Sequence, residues 1–193
     1  MSAATRHWKP ALLLAAALVT ILLAALVPRA SSTGKDPLNY PAIKGFGGVA
    51  ERHDQVDVPD PNGHYRVIFD VVSETDDPQL LNPGLMRVAR AVNVFAAEGV
   101  PPEQLDFVAI IHGSATRSVV NHEVYRRWFD IDNPNVALIA ALKEAGVQVS
   151  VCGQVLSHWG VADEEVNEEI DITPSALTTL AIYGNQGYAY ERL

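Results

Sequence analysis

The chain has 193 residues, of which 48% are hydrophobic and 19% charged, and its formal net charge is −9. That length suits one domain with an extension, and the apolar content argues against global disorder. The lone cysteine, Cys152, excludes an internal disulfide bond and any cysteine-rich zinc or iron–sulfur site. The acidic balance argues against nucleic acid as a partner, because neutralising phosphates requires a basic face.

The N-terminus carries the pattern of an export segment. Arg6 and Lys9 precede the uncharged, apolar stretch 11–27, and Arg29 follows it. At 17 residues, the stretch is slightly longer than the usual core of a signal peptide and slightly shorter than a spanning helix of about 20 residues. Residues 1–30 are therefore predicted to be a signal peptide or an N-terminal membrane anchor, with cleavage favoured. The rest of the chain is then periplasmic or otherwise extracytoplasmic.

Residues 31–65 resemble a linker or an arm that lies on the surface of a domain. They contain four prolines and the glycine-rich run 45–48, without sustained periodicity. The glycine run does not predict a phosphate-binding loop, because no lysine and hydroxyl pair follows it. After the export stretch, every segment with apolar periodicity lies beyond Arg66. Residues 66–193 are therefore predicted to form an α/β domain that folds without residues 1–65.

From Arg66 onward, short β-branched runs alternate with segments whose apolar residues have helical spacing. The run 66–72 is nearly all apolar, as expected for a strand buried on both faces. This alternation indicates crossover connections, and therefore a mostly parallel sheet of about five strands with helices on both faces. The predicted elements are strand 66–72, helix 81–96, strand 105–112, helix 119–129, helix 136–145, strand 147–152, helical turns 154–159, strand 170–172, a helix capped by Thr173 that ends near residue 183, and strand 188–190.

Candidate functional residues follow the predicted strands, because ligands of open parallel sheets bind outside the carboxyl ends of the strands. Cys152 ends the third strand and precedes a helix start, where backbone N–H groups favour a thiolate. The alternative is a structural thiol, since free cysteine is among the most buried residue types. His112 ends the second strand and should lie near Cys152 if the two strands are neighbours. It could act as a base or as a cation beside the thiolate, or simply bond a loop carbonyl.

Other polar residues are considered as members of the same functional site. Arg117 could offer a positive charge to an anionic sulfur species, or it could pair with a carboxylate. His122 is more typical of a packing face, and His158 is a plausible rim residue. A metal site formed by Cys152 and two histidines is conceivable, although nothing in the spacing requires it. The acidic run 163–169 is typical of a solvated face.

Several spaced motifs occur between residue 112 and residue 190. They are His112-Gly113, Asn133-Pro134, Ala145-Gly146-Val147, Val151-Cys152-Gly153-Gln154, the run 173–177 and the run 186–190. Together these motifs resemble the DsrE/DsrF-like sulfur-relay family over roughly residues 66–193. The resemblance implies a three-layer α/β/α fold, assembly into trimers or hexamers, and a cysteine that carries sulfur as a persulfide, a role that falls on Cys152. Familiar members are cytoplasmic and begin almost directly with the first strand, so the export segment is a departure from the family pattern.

The leading hypothesis is a sulfur-handling protein in which Cys152, assisted by His112, is a persulfide carrier or a thiol nucleophile. Since it is the only cysteine, the chain has no resolving thiol, and sulfur must pass to another molecule or another subunit. The expected partners are sulfur donor and acceptor proteins or small sulfur species, together with further copies of the chain. No cofactor is expected. The alternatives are a non-catalytic oligomeric binding module with an inert cysteine and, more weakly, a metal-binding protein.

Overall fold

The computed structural model describes residues 37–193. The predicted export stretch 11–27 lies outside the described residues. Within residues 37–193, no helix is long and apolar enough to cross a membrane. The elements are β1 (Tyr65–Val71), α1 (Pro83–Ala97), β2 (Leu105–Ile111), α2 (His122–Phe129), α3 (Val136–Glu144), β3 (Gln148–Cys152), α4 (Gly153–Trp159), β4 (Asp171–Thr173), α5 (Ala176–Asn185) and β5 (Ala189–Arg192), with short 3-10 helices at Pro102–Gln104, Gly113–Val119 and Asp163–Glu165.

The five strands form one parallel sheet in the order β4-β3-β2-β1-β5. The predicted fold, three α/β/α layers around a mostly parallel sheet of about five strands, is confirmed. Because the sheet is parallel, the carboxyl ends of β1, β2 and β3 lie side by side at one edge. The candidate residues that follow these strands are therefore neighbours.

The two faces of the sheet are covered unequally. One face packs against α1 and α3 and forms the larger core, which contains Phe69, Phe107 and Val151. The other face packs against α5 and forms a smaller apolar cluster, which contains Ile110 and Cys152. Alternate residues of a strand point to opposite faces, so each central strand contributes to both cores, as its nearly continuous apolar sequence predicts.

The segment before β1 contributes to the larger core instead of lying only on the surface. Ile43 is 3% exposed and belongs to that core. Gly47 has a φ of +61°, and a Cβ there would lie 2.2 Å from the backbone nitrogen of Arg90 in α1, so only glycine permits the close approach. The buried side chain of Asn93 in α1 binds the backbone of residues 42–47. Independent folding of residues 66–193 remains a prediction.

Two predicted helix starts are wrong. The helix expected from Thr173 begins at Ala176, because Thr173 is the last residue of β4 and the Ser175 side chain accepts a hydrogen bond from Leu177 N at 3.2 Å. The helix expected over 119–129 begins at His122, since Val119 is the last residue of the preceding 3-10 helix. Asn121 separates the two helices, since its side chain accepts from Val124 N and caps α2. In both places the side-chain cap decides where the helix begins.

Candidate functional site

Cys152 is the last residue of β3 and the residue before α4. It is 5% exposed, and it packs in the smaller apolar cluster with Ile110 and Ala176. A Cβ on Gly153 would lie 2.9 Å from Thr173 O. Glycine at 153 therefore allows α4 to begin close against β4. The thiol stands at the expected edge of the sheet, but little of it reaches solvent.

His112 continues β2 by one residue, since its backbone N–H donates to Val71 O at 3.1 Å. The register of the sheet pairs Ile111 with Val151, so His112 stands level with Cys152 on the neighbouring strand. Alternate residues of a strand share a face. His112 is therefore on the same face as Ile110 of the smaller cluster, and Cys152 itself belongs to that cluster. β2 and β3 are thus neighbours, which is the condition under which the sequence placed His112 near Cys152.

The ring of His112 contacts a carboxylate instead of a loop carbonyl. Its Nε2 lies 2.5 Å from Oδ1 of Asp70 in β1. A carboxylate oxygen accepts a hydrogen bond, so Nε2 is the ring nitrogen that carries the proton. Nδ1 is then the acceptor nitrogen of the neutral ring. His112 is in this way oriented by β1 while it stands level with the thiol of β3.

Asp70 is a residue that sequence reasoning missed. Its side chain is 7% exposed, and Tyr190 of β5 donates its hydroxyl to Oδ2 at 2.6 Å. Arg192 Nε lies 3.9 Å from the same oxygen. The hydrogen bond to Asp70, followed by burial and the Asp70 charge, raises the pKa of Tyr190 above its ordinary value of 10.0. The available sequence signal was an acidic residue inside the apolar run 66–72.

Arg117 is engaged with the loop that follows β1. Its Nε lies 3.6 Å from Oε2 of Glu74, its Nη2 donates to Thr75 O, and its guanidinium lies 5.9 Å from the centre of the Phe129 ring. Burial raises the pKa of Glu74 above its ordinary value of 4.5, while a backbone hydrogen bond and the Arg117 charge oppose that shift. The carboxylate-paired alternative therefore describes Arg117, and the structure does not direct it to the thiol.

The remaining candidates do not join the site. Nδ1 of His122 accepts a hydrogen bond from Asn133 N at 3.1 Å, so this residue has a packing role. In the acidic run, Glu165 pairs with Arg127. No three His, Cys, Asp or Glu side chains converge on a possible metal position anywhere in the described part of the chain. The metal hypothesis thus has no set of ligands within residues 37–193.

Comparison with known proteins addresses the same region. The model of the DsrE/DsrF-like family matches residues 66–190. The chain belongs to the DsrE/DsrF-like family. At the family level, DsrE proteins are sulfur-relay-like, act with partner proteins and often form oligomers. This agrees with the resemblance carried by the sequence motifs.

A solved structure supports the DsrE fold. The chain is similar to a protein of unknown function, MTH1491, from Methanobacterium thermoautotrophicum, with 17% identity and a TM-score of 0.51. The match covers 67% of this chain and 99% of the other. At that identity the likeness shows the fold alone. No curated protein matches this DsrE-family chain.

Proposed function

We propose that this DsrE-family protein handles sulfane sulfur and that Cys152 carries the sulfur as a persulfide. The observation that supports this most is the position of the thiol at the carboxyl end of β3, level with His112, which directly follows β2. A cysteine nucleophile is activated by an adjacent general base, and His112, at the end of the neighbouring strand, is the residue that we assign to that role. The family relation independently favours sulfur as the cargo.

The proposed reaction is a sulfur transfer without net redox change. His112 takes the proton of the thiol, and the Cys152 thiolate attacks the outer sulfur of a donor persulfide, R–S–S–H. A new S–S bond forms while the S–S bond of the donor breaks, and R–S⁻ leaves with the bonding electron pair. The chain then holds Cys152–S–S–H. An acceptor thiolate attacks this outer sulfur, becomes the new persulfide and releases the Cys152 thiolate.

The burial of Cys152 limits the class of donor. Because the residue is only 5% exposed, its donor is a small sulfur species or a persulfide on a protruding cysteine that enters at the carboxyl edge. Cys152 is the only cysteine of the chain, so the acceptor thiol is on another molecule. We further propose that the protein works outside the cytoplasm, as the export pattern in residues 1–30 predicts, and that it forms a homo-oligomer.

Intact-mass measurement after treatment with polysulfide tests the proposal. The full-length protein should gain the mass of one sulfur atom, and a thiol reductant should remove it. Cys152→Ser is the matched control, since it replaces only the sulfur by oxygen, and it should gain nothing. An unmodified wild-type protein, or equal uptake by Cys152→Ser, would refute the carrier role.

Alkylation distinguishes the carrier from the principal alternative. Membership of Cys152 in an apolar cluster is the observation that favours a binding module with an inert cysteine. A native thiol that iodoacetamide modifies at neutral pH agrees with the carrier. A thiol that reacts only after denaturation would be a core residue, and the binding module would then be the better description.

A further inference from the structure

The carboxylate of Asp70 is buried, although burial of a charge costs desolvation energy. It lies on a central strand whose neighbouring residues Phe69 and Val71 are fully apolar, and its side chain is 7% exposed. Buried ion pairs are weak contributors to stability, because desolvation of both charges offsets their attraction. The position of Asp70 near the carboxyl end of β1 is instead where open parallel sheets bind their ligands.

Three residues follow one another across three adjacent strands on the same face. Asp70 is on β1, His112 follows β2, and Cys152 ends β3. The 2.5 Å contact between Asp70 Oδ1 and His112 Nε2 holds the ring as the tautomer with its proton on Nε2. Nδ1 is then the one ring nitrogen able to accept a proton. The three adjacent strands thus bring a nucleophile, a base and an orienting carboxylate side by side, which are the three groups of a site that activates a nucleophile.

We infer that Asp70 is a positioning residue, which holds His112 in the tautomer that receives the Cys152 proton and stabilises the imidazolium that results. This inference rests on the proposed function, because it assigns the device that activates the same thiol. The proton moves from Cys152 Sγ to His112 Nδ1, and no electrons are transferred. Asp70 keeps its negative charge throughout and contacts neither the sulfur nor a substrate.

The C-terminal strand fixes the orienting carboxylate. The Tyr190 hydroxyl donates a hydrogen bond to Asp70 Oδ2, while Oδ1 accepts one from His112 Nε2. Arg192 adds a positive charge 3.9 Å from Oδ2. The charged and titratable groups that contact this carboxylate are therefore His112 from the end of β2, and Tyr190 and Arg192 from β5. Tyr190 is 56% exposed, so its hydroxyl can be removed with little disturbance of the core.

The rate of Cys152 alkylation as a function of pH tests the inference on the full-length protein. Asp70→Asn should move the rising limb of the profile to higher pH and slow alkylation at neutral pH by about tenfold or more. Tyr190→Phe should shift the limb in the same direction by less. The matched control is Asp171→Asn, which makes the same chemical change at an exposed position of β4 and should leave the profile unchanged.

A second measurement reports the tautomer directly. In ¹⁵N-labelled wild-type protein, the His112 ring should show its proton on Nε2, and Asp70→Asn should lose that preference. If Asp70→Asn does not fold, as judged by circular dichroism, Tyr190→Phe decides the matter. A reactive wild-type thiol with unchanged profiles in the folded variants would overturn the inference and leave the carrier role intact. A wild-type thiol that takes up no sulfur would instead refute the proposed function.

Discussion

Replacement of Asn93 by alanine should be among the most destabilising single changes in this protein. Asn93 is fully buried in α1. Its Oδ1 accepts from the backbone N–H groups of Ala42 and Ile43 at 3.0 and 2.8 Å. Its Nδ2 donates to the carbonyls of Ile43, Phe46 and Gly47 at 3.1, 2.9 and 3.2 Å. One amide thus holds the segment before β1 against the domain.

The expected cost follows from those contacts. The two protons of Nδ2 are shared among three carbonyls. About four hydrogen bonds at roughly 0.5–1.5 kcal/mol each therefore set the upper limit of the loss in stability. Alanine recovers roughly 0.6 kcal/mol as a better helix former, and water satisfies groups that detach. We expect a net loss of about 3 kcal/mol, a large part of the roughly 5–15 kcal/mol that stabilises a typical domain. The melting temperature should fall by roughly 9 °C, at about 3 °C for each kcal/mol in a chain of this size.

Urea denaturation and limited proteolysis check this expectation. Trypsin should cleave after Lys44 faster in Asn93→Ala than in the wild type, because the detached segment exposes that bond. Asn185→Ala is the matched control, since it also replaces a helical asparagine but at an exposed position in α5. It should change stability by no more than about 0.5 kcal/mol. Equal stability of the two variants, with unchanged cleavage after Lys44, would refute the anchoring role.

Three further expectations concern stability and assembly. Burial raises the pKa of Glu74 above 4.5, so protonated Glu74 stabilises the fold below that value, and this contribution is lost as the pH rises through the raised pKa. The stability of Glu74→Gln relative to the wild type should therefore increase across that pH range. A stability difference that does not vary with pH would contradict the assignment. A chain that starts at Pro61 should fold but melt at lower temperature, since it lacks Ile43 and the partners of Asn93; loss of cooperative melting would count against the predicted boundary. Light scattering should show an oligomer at micromolar concentration, with a trimer as the first expectation, and a monomer would remove that claim.

The sequence by itself determined the fold class and half of the candidate site. Apolar runs such as 66–72 and helically spaced residues are local patterns, and their alternation restricts the topology to a parallel sheet. The rule that ligands bind at the carboxyl ends of such strands then selected Cys152 and His112. This reasoning needs only the order of elements, so errors at element ends, such as the start of α5, did not affect it.

Only the tertiary structure decided which side chains meet. Asp70 and His112 are 42 residues apart, and Asp70 and Tyr190 are 120 apart. Their contacts depend on the strand order β4-β3-β2-β1-β5, which sets β1 between β2 and the C-terminal strand. Asn93 likewise meets residues about 50 positions earlier. A local sequence pattern does not predict such pairs. They form because packing removes the polar groups from water, and each buried group must then find its hydrogen-bond partner within the protein.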